Sequence, residues 1–192
     1  REGNVVDIDD LLDEMYVKSK SIILKSNKSN PESLDELSVL IGDAALKYFI
    51  LKPEPKKEIL FNPSESIDFN GHTGPFIQYT YARINSIVTK SDNFKHVFKV
   101  SRDLLKEERS LIKLILSYPV VLRQSASSFN PSLMANYLYH LSKEYNHFYQ
   151  KIPILSVDDR NDVNFRVTLS KKVGVLISAG MNLLGIKVPL TM

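Results

Sequence analysis

Apolar residues recur at intervals of three and four along most of this 192-residue chain, and no stretch of convincing length alternates with the period of two that a half-buried strand requires. Ile8, Leu11, Leu12, Met15 and Ile22 form the first such series. Asp7 precedes it and Asp10 follows three residues later, a capping arrangement that predicts a helix over 8–25. Lys25 to Asn30 reads as a polar loop. Asn30-Pro31 then offers an N-cap and a first-turn proline for a helical stretch carrying Leu34, Leu37, Leu40 and Ile41, with Gly42 a candidate bend. Ala44 to Leu51 keeps helical spacing until Pro53 and Pro55 interrupt it, and Ile59-Leu60-Phe61 offers at most a short extended piece.

Further helices are expected over 75–90, 102–117, 120–127, 131–150 and 157–184, with breaks at Ser91 to Asn93, at Pro119 and at Asn130-Pro131. Within 131–150 the series Met134, Leu138, Leu141, Tyr145 and Phe148 marks a core face. Ser156 with Asp159 caps the last helix and Gly185 stops it. The expected fold is all-α, an antiparallel helical bundle over 67–192 preceded by a helical connecting segment over 1–66.

The segment from Phe69 to Arg83 carries the candidate chemistry. A Gly-rich loop runs into a helix on which Phe76, Tyr79, Thr80 and Arg83 share one stripe, while Ile77, Tyr81, Ile84 and Val88 form an adjacent one suited to a core. Aromatic faces beside a guanidinium are what single-stranded RNA loops are stacked and paired against. Spacing alone favours the plainer reading, a second buried face with one satisfied arginine.

Charge changes that balance slightly. Residues 1–66 carry 9 Lys and Arg against 13 Asp and Glu, whereas 67–192 carry 16 against 9, so the overall +3 divides into −4 and +7. The basic part contains the stripe, which favours a polyanionic partner. With no cysteine, disulfides and thiolate-zinc sites are excluded. No apolar run approaches the ~20 residues that span a bilayer, and no signal-peptide pattern opens the chain. The expectation is a soluble, cytoplasmic protein with no membrane partner.

Catalytic chemistry finds no footing. His140, Glu144 and His147 share a helix face, but two imidazoles with one carboxylate and no further ligand in register read as a solvated face, so no metal site is expected. No serine sits in a Gly-x-Ser-x-Gly elbow. Gly71 and Gly74 lack both the P-loop ending and the Rossmann spacing.

The order of residues is more specific than their spacing. Phe69-Asn70-Gly71-His72-Thr73-Gly74-Pro75-Phe76-Ile77-Gln78-Tyr79 resembles the F-x-G-x-T-G-P-[YF]-[LI]-Q-Y segment that opens the anticodon-binding helical domain of arginyl-tRNA synthetases. Arg1 to Val6 with Asp9 to Glu14 is similar to the stretch after that family's ATP-signature loop. Phe148-Tyr149-Gln150, Pro153-Ile154-Leu155 and Leu183-Leu184-Gly185-Ile186 through Met192 resemble its C-terminal helices. The match runs in the family's order across nearly the whole chain. Two departures stand out: the D-A-L-R signature is reduced to Ala44-Ala45-Leu46-Lys47, and His72 stands where many relatives carry a small polar or acidic residue.

The resemblance implies a C-terminal fragment of such an enzyme, whose parent uses ATP and Mg²⁺ to attach arginine to tRNA(Arg). It nominates Asn70, Gly71, His72, Thr73, Phe76, Tyr79, Arg83, Tyr149 and Met192 as tRNA-facing residues. Gly71 is expected to provide backbone reach or a positive φ, and Pro75 a pre-set first turn. Tyr149 and Met192 read equally as a bundle-edge tyrosine and a frayed end. The fragment itself is expected to need no cofactor, to lack catalytic residues, and to partner with tRNA(Arg), chiefly its anticodon stem-loop, and with the catalytic domain of its parent chain. The alternative is a helical protein-protein interaction module without RNA binding.

Overall fold

The computed structural model describes residues 7–25, 34–60, 62–91 and 99–192. These contain helices α1 (Ile8–Lys25), α2 (Leu34–Leu51), α3 (Pro63–Ser66), α4 (Gly74–Lys90), α5 (Lys106–Ser127), α6 (Pro131–Lys151) and α7 (Arg160–Leu183), and no strand among the described residues. The expectations for Arg1 to Val6, for the Asn30-Pro31 cap, for Phe61 and for Asn93 lie outside them.

Local chemistry accounts for the helix starts. Asp7 Oδ1 accepts from the Asp9 N–H (3.1 Å), Asn130 Oδ1 from Ser132 (3.1 Å) and Asp159 Oδ1 from Asn161 (2.8 Å), each satisfying an N–H that a helix leaves free. The short α3 went unforeseen, although Asn62-Pro63 repeats the Asn-Pro start signal: Asn62 Oδ1 accepts from the N–H groups of Ser64 and Glu65. Gly185, with φ of +70°, ends α7 as expected.

One expectation is corrected. Pro119 does not break the chain; α5 runs through it. A proline removes one intrahelical hydrogen bond, but Pro119 lies on the exposed side, where solvent can satisfy the freed carbonyl. The apolar stripe of Leu111, Ile112, Ile115, Tyr118 and Leu122 packs on the core before and after it. Gly42 leaves α2 unbroken from Leu34 to Leu51. Its missing side chain lets α1 cross closely, since a Cβ there would lie 3.1 Å from the Met15 carbonyl.

Two apolar clusters result. The larger joins α4, α5, α6 and α7, with Tyr48, Ile77, Leu111, Leu138, Leu141, Tyr145, Phe148, Val173 and Ile177 fully enclosed. The smaller is built on Met15, Ile23, Ile41, Ala45 and Leu46, with Phe69 and Met192 at its edge. Helix α2 serves both: Ala44 and Tyr48 face the first cluster, Ile41, Ala45 and Leu46 the second. The Tyr48 hydroxyl donates to the Ala135 carbonyl (2.8 Å), fixing α2 to α6.

The chain after α7 folds back across α4. Gln78 Nε2 donates to the carbonyls of Leu40 (3.1 Å) and Lys187 (2.8 Å), Lys47 Nζ to that of Gly185 (3.1 Å), and Asn85 Nδ2 to that of Leu190 (3.0 Å). The Gln78 amide is fully buried, so its bonds are costly to leave unmade and hold the tail in its course, which the exposed Lys47 and Asn85 bonds follow. That course delivers Met192 to the exposed side of α4.

Candidate nucleic-acid interface

Helix α4 begins where two backbones nearly touch. A Cβ on Gly74 would sit 2.3 Å from the Ala44 carbonyl oxygen, so only glycine lets the start of α4 approach α2 so closely. Thr73 caps the helix, its Oγ1 accepting from the Phe76 N–H (3.3 Å) and donating to the Asp68 carbonyl, and Pro75 occupies the first turn as expected. Asp68 Oδ1 accepts from the Asn70 N–H (2.8 Å), closing the loop on itself. Gly71 has no positive φ, so that expectation for it is corrected, and the glycine-dependent contact between helices falls to Gly74.

The nine nominated residues divide into two groups. At the loop, Asn70 is exposed, while the His72 ring turns toward the bundle and stacks on Tyr139 (centroids 3.8 Å apart, planes at 25°). Tyr48 lies tilted on its other side at 5.8 Å, and Lys52 Nζ donates to the His72 carbonyl (3.4 Å). Burial, together with the positive charges of Lys52 and His140, pushes the His72 pKa down to about 4. His72 is therefore a neutral aromatic in the wall of the bundle at neutral pH. Phe76 joins the same cluster, 5.5 Å from Tyr139.

Tyr79, Arg83, Tyr149 and Met192 form the second group, around an open groove of about 770 Å³ between α4, the end of α6 and the tail. The Arg83 guanidinium lies between two tyrosine rings, 4.8 Å from the centroid of Tyr79 and 4.9 Å from that of Tyr149. Both distances fall within the roughly 6 Å over which a cation is held by an aromatic face. Nη1 donates to Asn146 Oδ1. No carboxylate side chain pairs with Arg83 among the described residues, and none lines the groove, where Lys90 adds a second cation.

Thr80 does not belong to the exposed stripe. It is fully buried, donating to the Phe76 carbonyl (2.9 Å) and accepting from Asn146 Nδ2 (2.9 Å). Ile77 and Ile84 of the adjacent stripe are buried as expected. Tyr139 and Asn146 were not foreseen. Asn146 precedes Tyr149 by one helical turn, which is the only local sign that it shares that face.

A buried ionic cluster steadies the far wall. Glu108 accepts from Arg102 (2.8 Å to each carboxylate oxygen), from Arg166 Nε (3.1 Å) and from the Leu105 N–H (2.9 Å). Arg102 Nε also reaches Asp162 (2.9 Å), and Arg166 Nη1 donates to the Pro153 carbonyl (2.8 Å). Pro153 lines the groove, so the cluster fixes the turn beside Tyr149. Burial acts to raise the Glu108 pKa, but the Arg102, Leu105 and Arg166 donors outweigh it and hold the carboxyl below the usual range.

The outward pairing of aromatic faces with an unneutralised guanidinium suits an unpaired nucleotide: rings to stack, N–H groups to meet oxygen. Among the described residues no group of His, Asp and Glu could hold a metal ion, and no helix is long and apolar enough to cross a membrane.

Comparison with known proteins gives the same direction. Over 192 residues the chain is 50% identical to an arginine--tRNA ligase of Flavobacterium psychrophilum, an alignment covering 98% of this chain and 32% of that protein. It is 42% identical to the arginine--tRNA ligase of Parabacteroides distasonis, covering 98% and 33%. The fold superposes on Thermus thermophilus arginyl-tRNA synthetase with a TM-score of 0.93 at 27% identity, covering all of this chain and 33% of that one. Arginyl-tRNA synthetase from Plasmodium falciparum gives 0.85 at 25% identity, covering 98% and 34%. The chain thus spans about a third of the length of the relatives it matches. Residues 77–192, which begin within α4 and hold the whole Arg83 groove, match the DALR anticodon binding domain, and the chain belongs to that family.

Proposed function

We propose that the chain docks the anticodon stem-loop of tRNA(Arg) as part of an arginyl-tRNA synthetase, the parent enzyme attaching arginine to tRNA(Arg) with ATP and Mg²⁺ in the cytoplasm. The observation that carries this reading is the Arg83 guanidinium, held between Tyr79 and Tyr149 with no carboxylate partner in a groove lined by a second cation.

Tyr149, exposed at the groove, offers its ring to a splayed base, and Arg83 donates to a phosphate or base oxygen. Met192 closes the groove from the tail side. Asn70 and Gly71 present the loop backbone, while Thr73, itself buried, together with His72 and Phe76 acts from behind by fixing the loop's shape on α4 and Tyr139. Residues 1–66 serve as the connecting segment to the catalytic domain and 67–192 as the anticodon-binding bundle. The chain by itself carries no catalytic residue and binds neither ATP nor metal.

The test is a titration with the tRNA(Arg) anticodon stem-loop and a scrambled loop at several salt concentrations. Log affinity is expected to fall with log salt by about 0.7 for each phosphate contacted in single-stranded regions. Binding to the cognate loop should exceed that to the scrambled one, and Arg83→Ala should remove most of the difference. Equal binding of both loops by the wild-type chain would overturn the assignment.

A further inference from the structure

We infer that Asn146 is a positioning residue that presets the Arg83 guanidinium for an acceptor oxygen of a bound nucleotide while leaving the arginine charge unneutralised. The inference rests on the RNA-docking role proposed for the groove. Its basis is the direction of a three-step hydrogen-bond chain. The Thr80 hydroxyl has one hydrogen, which it donates to the Phe76 carbonyl (2.9 Å), so Thr80 Oγ1 can only accept from Asn146. Asn146 must therefore turn Nδ2 toward Thr80 (2.9 Å) and Oδ1 toward Arg83, whose Nη1 donates to it. The amide has no freedom to flip, because a flip would set two acceptors against each other and two donors against each other. Thr80 is fully buried, which anchors the chain in the bundle.

The choice of an amide has a consequence. A carboxylate at this position would also accept from Arg83, and more strongly, but it would cancel the charge. Asparagine supplies the same geometry with no charge. The rings of Tyr79 and Tyr149 both lie against the guanidinium, their centroids 4.8 and 4.9 Å from its carbon, and one of its five N–H groups is committed to Asn146, which leaves the others for a ligand. The arginine is thus held by three neutral groups and ready to pair, with little rotamer freedom left to lose on binding.

Two substitutions in the full 192-residue chain separate this role from a merely structural one. N146D preserves the shape and the acceptor toward Arg83 but introduces a negative charge. The new oxygen facing Thr80 can be met only if the Thr80 hydroxyl turns to it from the Phe76 carbonyl, so a modest fall in thermal midpoint is expected with the fold kept, while the tRNA(Arg) anticodon stem-loop binds about tenfold more weakly. The slope of log affinity against log salt should fall by about 0.7, the loss of one effective contact. N146A removes the tether. Nitrogen NMR of the free protein should then show the Arg83 Nη signals, separate in the wild type because guanidinium rotation is hindered, merging while the backbone spectrum of the bundle persists. Unchanged Arg83 signals in N146A, or unchanged affinity and salt slope in N146D, would overturn the role of Asn146. If instead the wild-type chain binds no RNA, the docking role of the groove fails, and the NMR comparison still decides whether Asn146 positions Arg83.

Discussion

Gly74 and Ala44 make the tightest backbone approach that any glycine among the described residues permits: a Cβ on Gly74 would lie 2.3 Å from the Ala44 carbonyl oxygen and 2.8 Å from its carbon. Both atoms belong to the α2 backbone, so a flexible side chain cannot swing aside to make room. Gly74→Ala must therefore push the start of α4 away from α2, weakening the Thr73 cap and the course of the loop before it. We expect a loss of about 3 kcal/mol, in the range of severe overpacking. At this chain size that is a fall of roughly 6–12 °C in the melting midpoint, measurable by calorimetry. Gly185→Ala, where nothing lies within 4 Å but φ is +70°, should cost only about 1–2 kcal/mol.

The helices that sequence spacing described well are those whose apolar face is both regular and buried. In α6 the series Met134, Leu138, Leu141, Tyr145 and Phe148 is at most 2% exposed throughout. Pro119 does not end α5 because the apolar stripe running through it outweighs one missing hydrogen bond, and α3 is hard to read from sequence because four residues carry too little periodicity. In the candidate site, Arg83, Tyr79, Tyr149 and Met192 were legible from residue order and do line one groove. His72 and Thr80 were not, because which face of α4 and its loop meets α6 depends on the Gly74 contact and on α6's rotation. Tyr139 and Asn146 could be assigned only once that register was known.

The neutral imidazole of His72 makes stability depend on pH in a defined direction. Its folded pKa, about 4, lies below the ~6.5 of an unperturbed histidine, so the folded state binds fewer protons than the unfolded chain. The contribution is fully present above pH 6.5 and is lost as pH falls from there toward 4. Half-burial leaves some solvent screening, and we expect a loss on the order of 1 kcal/mol between pH 7 and pH 5. His72→Phe, which keeps a ring against Tyr139, should remove this component in denaturant titrations at the two pH values. Equal pH dependence in both proteins would show that the histidine does not titrate in this way.

Glu108 is wholly buried beneath two arginines, of which Arg166 is nearly as enclosed. Glu108→Ala leaves Arg166 buried with only Asp162 and the Pro153 carbonyl as partners, and should cost about 3–5 kcal/mol. The acid response runs the same way as that of His72 but at lower pH. The folded pKa of Glu108 is depressed, so its contribution is present above the ordinary glutamate pKa of about 4.3 and disappears as pH falls below that toward the folded value. Because the cluster also holds Pro153, Glu108→Gln should loosen the turn after α6 before the bundle melts. Hydrogen exchange of the amides from Ile152 to Ser156 is the measurement that would reveal it.

Arginine and lysine carry the same charge, and Arg83→Lys separates charge from shape in the groove. Lysine can remain near the rings of Tyr79 and Tyr149 but offers no planar fork to lie between them or to face both Asn146 and a ligand oxygen at once. The salt slope of stem-loop binding should therefore stay close to that of the wild type, whereas the preference for the cognate loop over a scrambled one should fall about tenfold. Tyr149→Ala, by contrast, removes a stacking face and should weaken both loops by roughly 1–3 kcal/mol, while Tyr149→Phe should change little. An unchanged preference in Arg83→Lys, with the salt slope also unchanged, would mean that the guanidinium acts as a bare charge and that its place beside the two rings is incidental to recognition.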